Sequence, residues 1–374
     1  MVDKITQRVL SGEGFFRAGD GTWRLGEEPS LVDWNTREHL GPTRRFMNRL
    51  KSEVDRYYNP DRHTTNYEDI HFLASQVHDA LNGEYENPAV LALFEKLDCE
   101  PELLETEPDA SLKRDWSLQE LAGETTDYVH DLVVSLLSQT TERLDVLPFL
   151  VDACRDLVSE RVTIATLNHD TLVEQILGKN GIEFTDGFDA AIEGVRYFDP
   201  ALLDYPSQSV RLLKVHGSVN WYKVRPFEDI WGTQKVAKFQ TPEVDNTVGR
   251  DGRPQWREKR PMLLIGTFNE AIRYTEWFFS ELFTQFQQSL KRVDTLVICG
   301  YGFGDKGMNS QIIQWIHKSN SNRIVIIHPD PGSMEEKAGR AIQRAFDYLK
   351  SEVRLQIIAK PAAEARWQEL RAFV

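Results

Sequence analysis

Apolar and polar positions follow two different periods along the 374-residue chain. From Val2 to Leu10 apolar residues recur at helical spacing, and the pattern stops at Gly12. The stretch FFRAGDGTWRLG then sets aromatic residues on either side of Asp20 and Gly21, which predicts a β-hairpin. Its glycines are turn chemistry, because they follow a helix rather than a strand, so this is not a phosphate loop. From about Asn35 to Leu157 apolar residues fall three and four apart, clearest over Asp69 to Asn82, Val90 to Leu97 and Asp127 to Leu137. That pattern predicts a helical lobe whose Met, Leu and Phe stripes form its core. His63, His71, His78 and His130 lie within it without metal-ligand spacing.

After Arg161 the texture changes to short apolar runs separated by longer, partly helical segments: VTIATL, RLLKV, MLLIG, TLVICG, RIVIIH and VRLQII. Continuous apolar strands of this length predict a parallel sheet covered on both faces, since a sheet with one wet face would alternate. The expected fold class is α/β: a doubly wound, Rossmann-like parallel sheet with an additional helical lobe. Residues 1–34 are grouped with the α/β part, 35–157 form the lobe, and 158–374 form the Rossmann-like domain. Such sheets bind ligands beyond the carboxyl ends of their strands, and four candidate motifs sit at strand ends.

The run TLNHDTL delivers Asn168, His169 and Asp170 just before a helix beginning near Thr171. An amide and a carboxylate there can fix sugar hydroxyls or a water, while Asp170 with Thr171 and Glu174 is also a respectable helix start. In RLLKVHGSVNW a strand empties into His216, Gly217 and Ser218. A strand-end histidine beside glycine is expected to be exposed enough to titrate and serve as a base. Ser218, Asn220 and Trp221 either extend that site or begin another strand. In CGYGFGDKGMN, glycines at 300, 302, 304 and 307 follow a strong strand and precede a helix over Met308 to His317. They suit close approach to a phosphate or ribose, or else a tight turn, and the spacing is not the dehydrogenase fingerprint. HPDP ends another strand in Asp330, either as a ribose contact or as plain turn chemistry.

Composition narrows the classes. No segment approaches the ~20 consecutive apolar residues of a bilayer span, and MVDKITQRVLSGEG has no secretory pattern, so a cytoplasmic protein is expected. The three cysteines, Cys99, Cys154 and Cys299, are too dispersed for a disulfide framework or a zinc ribbon. The net charge of -14 makes direct nucleic-acid binding by the whole surface unfavourable. A local exception is the stretch with Arg250, Arg253, Arg257, Lys259 and Arg260 around Trp256, either a solvated loop or a partner contact.

Taken in order, TLNHD, VHGSVNW, CGYGFGD with Asn309, and HPD resemble the sirtuin family over about Val162 to Pro331, and within it the bacterial sirtuin-like NAD⁺ hydrolases of anti-phage defence. The resemblance implies that Asn168 and Asp170 flank the nicotinamide ribose and that His216 acts there as base or polariser. It implies further that Gly217, Ser218, Gly300, Tyr301, Gly302, Phe303 and Asp305 bind the substrate NAD⁺, with Asn309 and Asp330 at its adenosine end. The zinc-binding cysteine pairs of protein-deacylating sirtuins are absent from the sequence, which weighs against a peptide deacylase, and no metal is expected. The family opens with a strand, a GAG-x-S phosphate loop and a Gly-Ile-Pro stretch. Segments like ITQRVLSGEGFFRAGDGTWRLG resemble the family's residues just downstream of that loop, so the diphosphate cradle either lies ahead of Met1 or is missing. The implied activity is cleavage of NAD⁺ to nicotinamide and ADP-ribose in a homo-oligomer working beside a HerA-type hexameric ATPase. Protein ADP-ribosyl or acyl transfer, and a non-catalytic scaffold for such an ATPase, remain as alternatives.

Overall fold

The computed structural model describes residues 2–26, 33–58, 63–83, 88–98, 104–105, 115–139, 141–156, 161–204, 209–227, 234–240, 246–249, 252–266 and 277–373. Cys99 and Arg250, both singled out from the sequence, lie outside them. The first elements are α1 (Val2–Ser11), β1 (Phe15–Arg17), β2 (Trp23–Leu25), α2 (Asp33–Tyr57), α3 (Tyr67–Leu81), α4 (Pro88–Asp98), α5 (Leu118–Leu137) and α6 (Pro148–Arg155). Next come β3 (Val162–Thr166), α7 (Leu172–Lys179), β4 (Val195–Tyr197), β5 (Val210–Lys214), β6 (Trp221–Pro226), β7 (Lys235–Phe239), β8 (Asn246–Val248) and β9 (Pro254–Arg257). The chain continues with α8 (Trp277–Leu290), β10 (Thr295–Cys299), α9 (Lys306–Lys318), β11 (Arg323–Ile327), α10 (Pro331–Lys337), α11 (Arg340–Ser351), β12 (Leu355–Ile358) and α12 (Trp367–Arg371). It divides into two units, residues 1–139 with 265–269, and residues 140–264 with 270–374. No helix among the described residues is long and apolar enough to cross a membrane.

The first unit is helical and includes the amino-terminal hairpin. Asp20 accepts the Thr22 N–H at 3.0 Å and turns the chain between β1 and β2, which pair antiparallel with Arg17 opposite Trp23. The sequence reading groups this hairpin with the α/β part, whereas the structure packs it on α5. The reason is Trp23, whose ring meets Tyr128 edge-on at 4.9 Å while its backbone N–H donates to Asp131 and its indole N–H to Glu124. Arg17 closes the set with an ion pair to Glu124 at 2.8 Å. Burying an aromatic ring with its donors satisfied is a strong anchor, and binary patterning alone does not reveal it.

The second unit is mixed α/β. β3 and β5 form one parallel pair, and β10, β11 and β12 form a parallel three-stranded sheet in that order. Neighbouring residues of these strands serve opposite faces. Leu213 of β5, Ile298 of β10 and Ile324 and Ile326 of β11 join one core with Phe278, Phe279 and Leu282 of α8, Ile312 of α9 and Phe346 of α11. On the other side Val325 and Ile327 pack with Phe149 of α6 and Leu370 of α12, while Val210 and Leu212 pack with Val173 and Leu177 of α7. Two-sided burial explains why these strands read as unbroken apolar runs.

Two features depart from the sequence reading. β4, β7, β6, β9 and β8, in that order, build a five-stranded antiparallel sheet where only parallel strands are expected. The run MLLIG is buried but is no strand of the parallel sheet: Leu263 makes an isolated antiparallel bridge to Gly217. In the basic stretch around Trp256, the Arg257 guanidinium is buried over Tyr222 at 4.3 Å and Phe239 at 5.3 Å, and Arg225 lies over Trp256 at 4.5 Å. Arg257 is thus a packed cation rather than part of a solvated loop.

Candidate active site at the strand ends

Three of the four sequence motifs meet at the carboxyl ends of β3, β5 and β10. β3 and β5 run parallel with Thr166 opposite Lys214, so the loops at their carboxyl ends leave the sheet side by side. Backbone bonds then tie them: Val219 N–H donates to the His169 carbonyl at 3.0 Å, and Val215 N–H to the Thr166 carbonyl at 3.1 Å. The His169 and His216 rings lie with centroids 6.2 Å apart.

In the β3–α7 loop Asn168 is exposed at the surface, its backbone N–H held by Thr166 Oγ1 at 3.1 Å. Asp170 is half-buried and accepts the Leu172 N–H at 2.9 Å, one residue ahead of Thr171, which stands at the N-cap of α7 without a side-chain cap bond. Both readings open at this aspartate, helix start and polar site group, are compatible with that geometry.

His216 is 5% exposed, so the expectation of a solvent-exposed histidine is corrected: the ring is enclosed. Its Nε2 lies 3.2 Å from Asp305 Oδ2, at the head of α9. The next residue is glycine for backbone reasons. Gly217 has φ +87°, and a Cβ on it would come within 2.0 Å of the Met262 carbonyl oxygen. Ser218, expected to contact a ligand, is fully buried and ties the two loops by bonding the His169 carbonyl at 3.3 Å and Asn220 Oδ1 at 2.9 Å.

The loop after β10 is strapped from inside. Asp305 accepts the Met308 N–H at 3.0 Å through Oδ1 and so caps α9. Tyr301 Oη donates to the Asp305 carbonyl and bonds Asn309 Oδ1, and Asn309 Nδ2 donates to the Phe303 carbonyl at 2.8 Å. Phe303 occupies the left-handed region at φ +56° and is 1% exposed, its ring packed on Tyr301 and Phe346. A bulky residue is held in that strained conformation only where its surroundings fix it. Among these residues Gly300 and Gly302 are exposed, and a Cβ on either would meet nothing within 4 Å of the described atoms. Their backbone is therefore the part of the loop that a ligand can approach closely. Asp330 sits at the end of β11, where it is exposed and caps α10 by accepting the Ser333 N–H at 3.1 Å. No bond joins it to the other three motifs among the described residues.

Sequence reasoning missed Lys214. Its side chain is fully buried, and its ammonium donates to the Asp170 carbonyl and lies 3.3 Å from Glu174 Oε1. Glu174 also faces Lys238 at 3.6 Å, Lys238 pairs with Asp186 at 2.7 Å, and Arg196 pairs with Asp186 at 3.0 Å. Burial pushes the Lys214 ammonium below the usual lysine range, and Glu174 opposes that shift. The visible signal is a lysine at the end of the otherwise apolar run RLLKV. A buried charge in such a position requires a partner, and here the partner is the loop that carries Asn168 and Asp170.

Among the described residues no group of three or more His, Cys, Asp or Glu is placed to hold a metal ion. The arrangement offers an enclosed imidazole on a carboxylate, a polar strand-end loop beside it and an open glycine backbone on the third strand. The family model described as SIR2-like domain matches residues 162–352, just over half of the chain and the whole of these three motifs. No curated protein matches the chain.

Proposed function

The chain belongs to the SIR2-like domain family, and from that membership, which is consistent with an NAD-utilising enzyme, we propose that it hydrolyses NAD⁺ at the nicotinamide–ribose bond. The observation that carries this reading is the convergence of His216, the Asn168–Asp170 loop and the Gly300–Asp305 loop at neighbouring strand ends. In the reaction the C1′–N bond breaks and its electron pair leaves with neutral nicotinamide. Water forms the new C1′–O bond, and its proton passes to His216. Asn168 and Asp170 position the water and the ribose hydroxyls, and the Gly300–Gly302 backbone lies along the diphosphate. General-base help of this kind contributes about 10²–10⁴-fold.

The fold supports a finer reading as well. Leu147, just ahead of α6, and Leu150 within it pack both against the β3–β5 pair and against the β10–β11–β12 sheet. We take the two sheets as halves of one doubly wound sheet, with the site along its carboxyl edge. By the same sequence resemblance, we propose a role in NAD⁺ depletion during anti-phage defence, as a homo-oligomer beside a HerA-type ATPase.

The test is to incubate the purified chain with NAD⁺, alone and with DNA and the ATPase, and to separate the products by chromatography. Equimolar nicotinamide and ADP-ribose are expected, and intact NAD⁺ under every one of these conditions sinks the proposal. Asn168→Ala should lower turnover at least about 100-fold with an unchanged melting temperature, because the side chain is exposed. His216→Gln is the fair second variant, since this ring is buried and alanine would leave a cavity.

A further inference from the structure

We propose that Lys214 is a positioning residue for the β3–α7 loop: its ammonium clasps the Asp170 backbone and so fixes where Asn168 and Asp170 meet the substrate. This rests on the hydrolase reading for the reaction, but the clasp itself stands on the geometry. Val210, Leu212 and Lys214 are alternate residues of β5 and share one face, and on that face Val210 and Leu212 pack with Val173 and Leu177 of α7. A third apolar residue would complete the row at the head of α7, yet the position holds a lysine whose side chain is 0% exposed. Its ammonium donates to the Asp170 carbonyl and lies 3.3 Å from Oε1 of Glu174, in the first turn of α7.

Folding alone gives no reason for this choice. Burying an ammonium is costly, a cation at a helix amino end opposes the helix dipole, and well-packed apolar residues in place of a buried ion pair are often neutral or stabilising. What the ammonium supplies is a tie that the loop's own bonds do not. Thr166 Oγ1 holding the Asn168 N–H at 3.1 Å and Asp170 Oδ1 holding the Leu172 N–H at 2.9 Å each span two residues, so they shape the loop without placing it against β5. The Val219 N–H on the His169 carbonyl places the middle of the loop, and Lys214, 44 positions along the chain from Asp170, places its end on the strand that leads into His216. Behind the clasp the charges alternate in a row: Lys214, Glu174, Lys238 of β7, Asp186 and Arg196 of β4, with successive neighbours 3.3, 3.6, 2.7 and 3.0 Å apart. The row anchors the loop to the antiparallel sheet as well as to β5.

Lys214→Met keeps an unbranched stem and removes the ammonium. Combining it with Glu174→Gln also removes the carboxylate left behind, which gives a second variant should the first fail to fold. The first experiment is hydrogen exchange read by mass spectrometry on the whole chain without NAD⁺. In the folded variant the peptide from Thr166 to Leu172 should exchange at least about tenfold faster than in wild type, with β5 and the second half of α7 unchanged. Unchanged exchange over that peptide overturns the clasp, and so does an equal rise throughout the α/β unit, which would mark a general part in stability. The second experiment is steady-state kinetics on NAD⁺. The kcat should fall about 10–100-fold with KM within about threefold, since misplaced groups cost rate while the Gly300–Gly302 backbone is untouched. Wild-type kcat in a folded variant, or a raised KM with kcat preserved, ends the proposal. If neither variant folds, Lys214 is a requirement of the fold and the proposal ends there too. Should wild-type protein leave NAD⁺ intact, the hydrolase reading fails while the exchange measurement still decides the clasp.

Discussion

At the scale of single residues, the strongest constraint at the site is steric. Gly217 combines φ +87° with a Met262 carbonyl 2.0 Å from where a Cβ would sit, and that neighbour is backbone bonded to the Ser218 N–H. Gly217→Ala should therefore lower unfolding free energy by at least about 3 kcal/mol in urea titration, since strain and overlap add. A near-neutral value would mean that the 262 segment moves freely. Cys154 and Cys299 carry a pH signature: burial pushes each thiol from 9.0 up to about 11. At pH 8 only about 10⁻³ of either thiol is ionised in the folded chain, so alkylation should be slow and rise about tenfold per pH unit until about pH 11. The folded state holds these protons after the unfolded state has released them, so both groups withdraw stability as pH rises from 9.0 towards 11. Mass spectrometry after timed iodoacetamide treatment checks this, and equal rates in folded and urea-unfolded protein at pH 8 would contradict it. The strand-end positions of Asn168, Asp170 and His216 were legible in the sequence because each follows an apolar run that forms a strand. The burial of His216 and the pairing of Asp305 were not, because they depend on a contact 89 positions apart in the chain.

Among elements, legibility followed the length and regularity of the pattern. The helices α3 and α5 and the strands β3, β5, β10, β11 and β12 stand where apolar periodicity places them, and β5 and β11 bury most of their run, while β3, β10 and β12 are largely half-buried. The antiparallel sheet escaped notice because β4 and β8 have three residues each, too few to display an alternation. MLLIG misled for the opposite reason: an apolar run records burial, and here burial comes from side-chain packing with a single bridge rather than from a ladder. Helix ends in the first unit give a direct measure of local signals. Asn66 accepts from the Glu68 and Asp69 N–H groups, and Asp69 returns a bond to the Asn66 N–H at 2.9 Å. Asn66→Ala should reduce stability by about 1 kcal/mol in chemical denaturation, with Asn66→Ser close to neutral. Equal losses for the two variants would show that the cap contributes little to α3.

For the molecule as a whole, the α/β unit is not one continuous stretch of chain. Its path is interrupted at residues 265–269, which belong with the helices. Ile265 is 2% exposed, and a Cβ on Gly266 would touch the Phe72 Cβ at 3.4 Å and the Glu68 carbonyl at 3.6 Å. The sequence reading ends the helical lobe at residue 157, whereas the first unit's main stretch ends at residue 139, and a cut at either place leaves residues 265–269 on the far side. Such a cut strands a buried isoleucine without its cover and removes from the helical piece the segment that seats against α3. The gene is consequently a poor candidate for dissection into independently expressed halves, and a better one for split-protein complementation, in which each half is rescued only by the presence of the other.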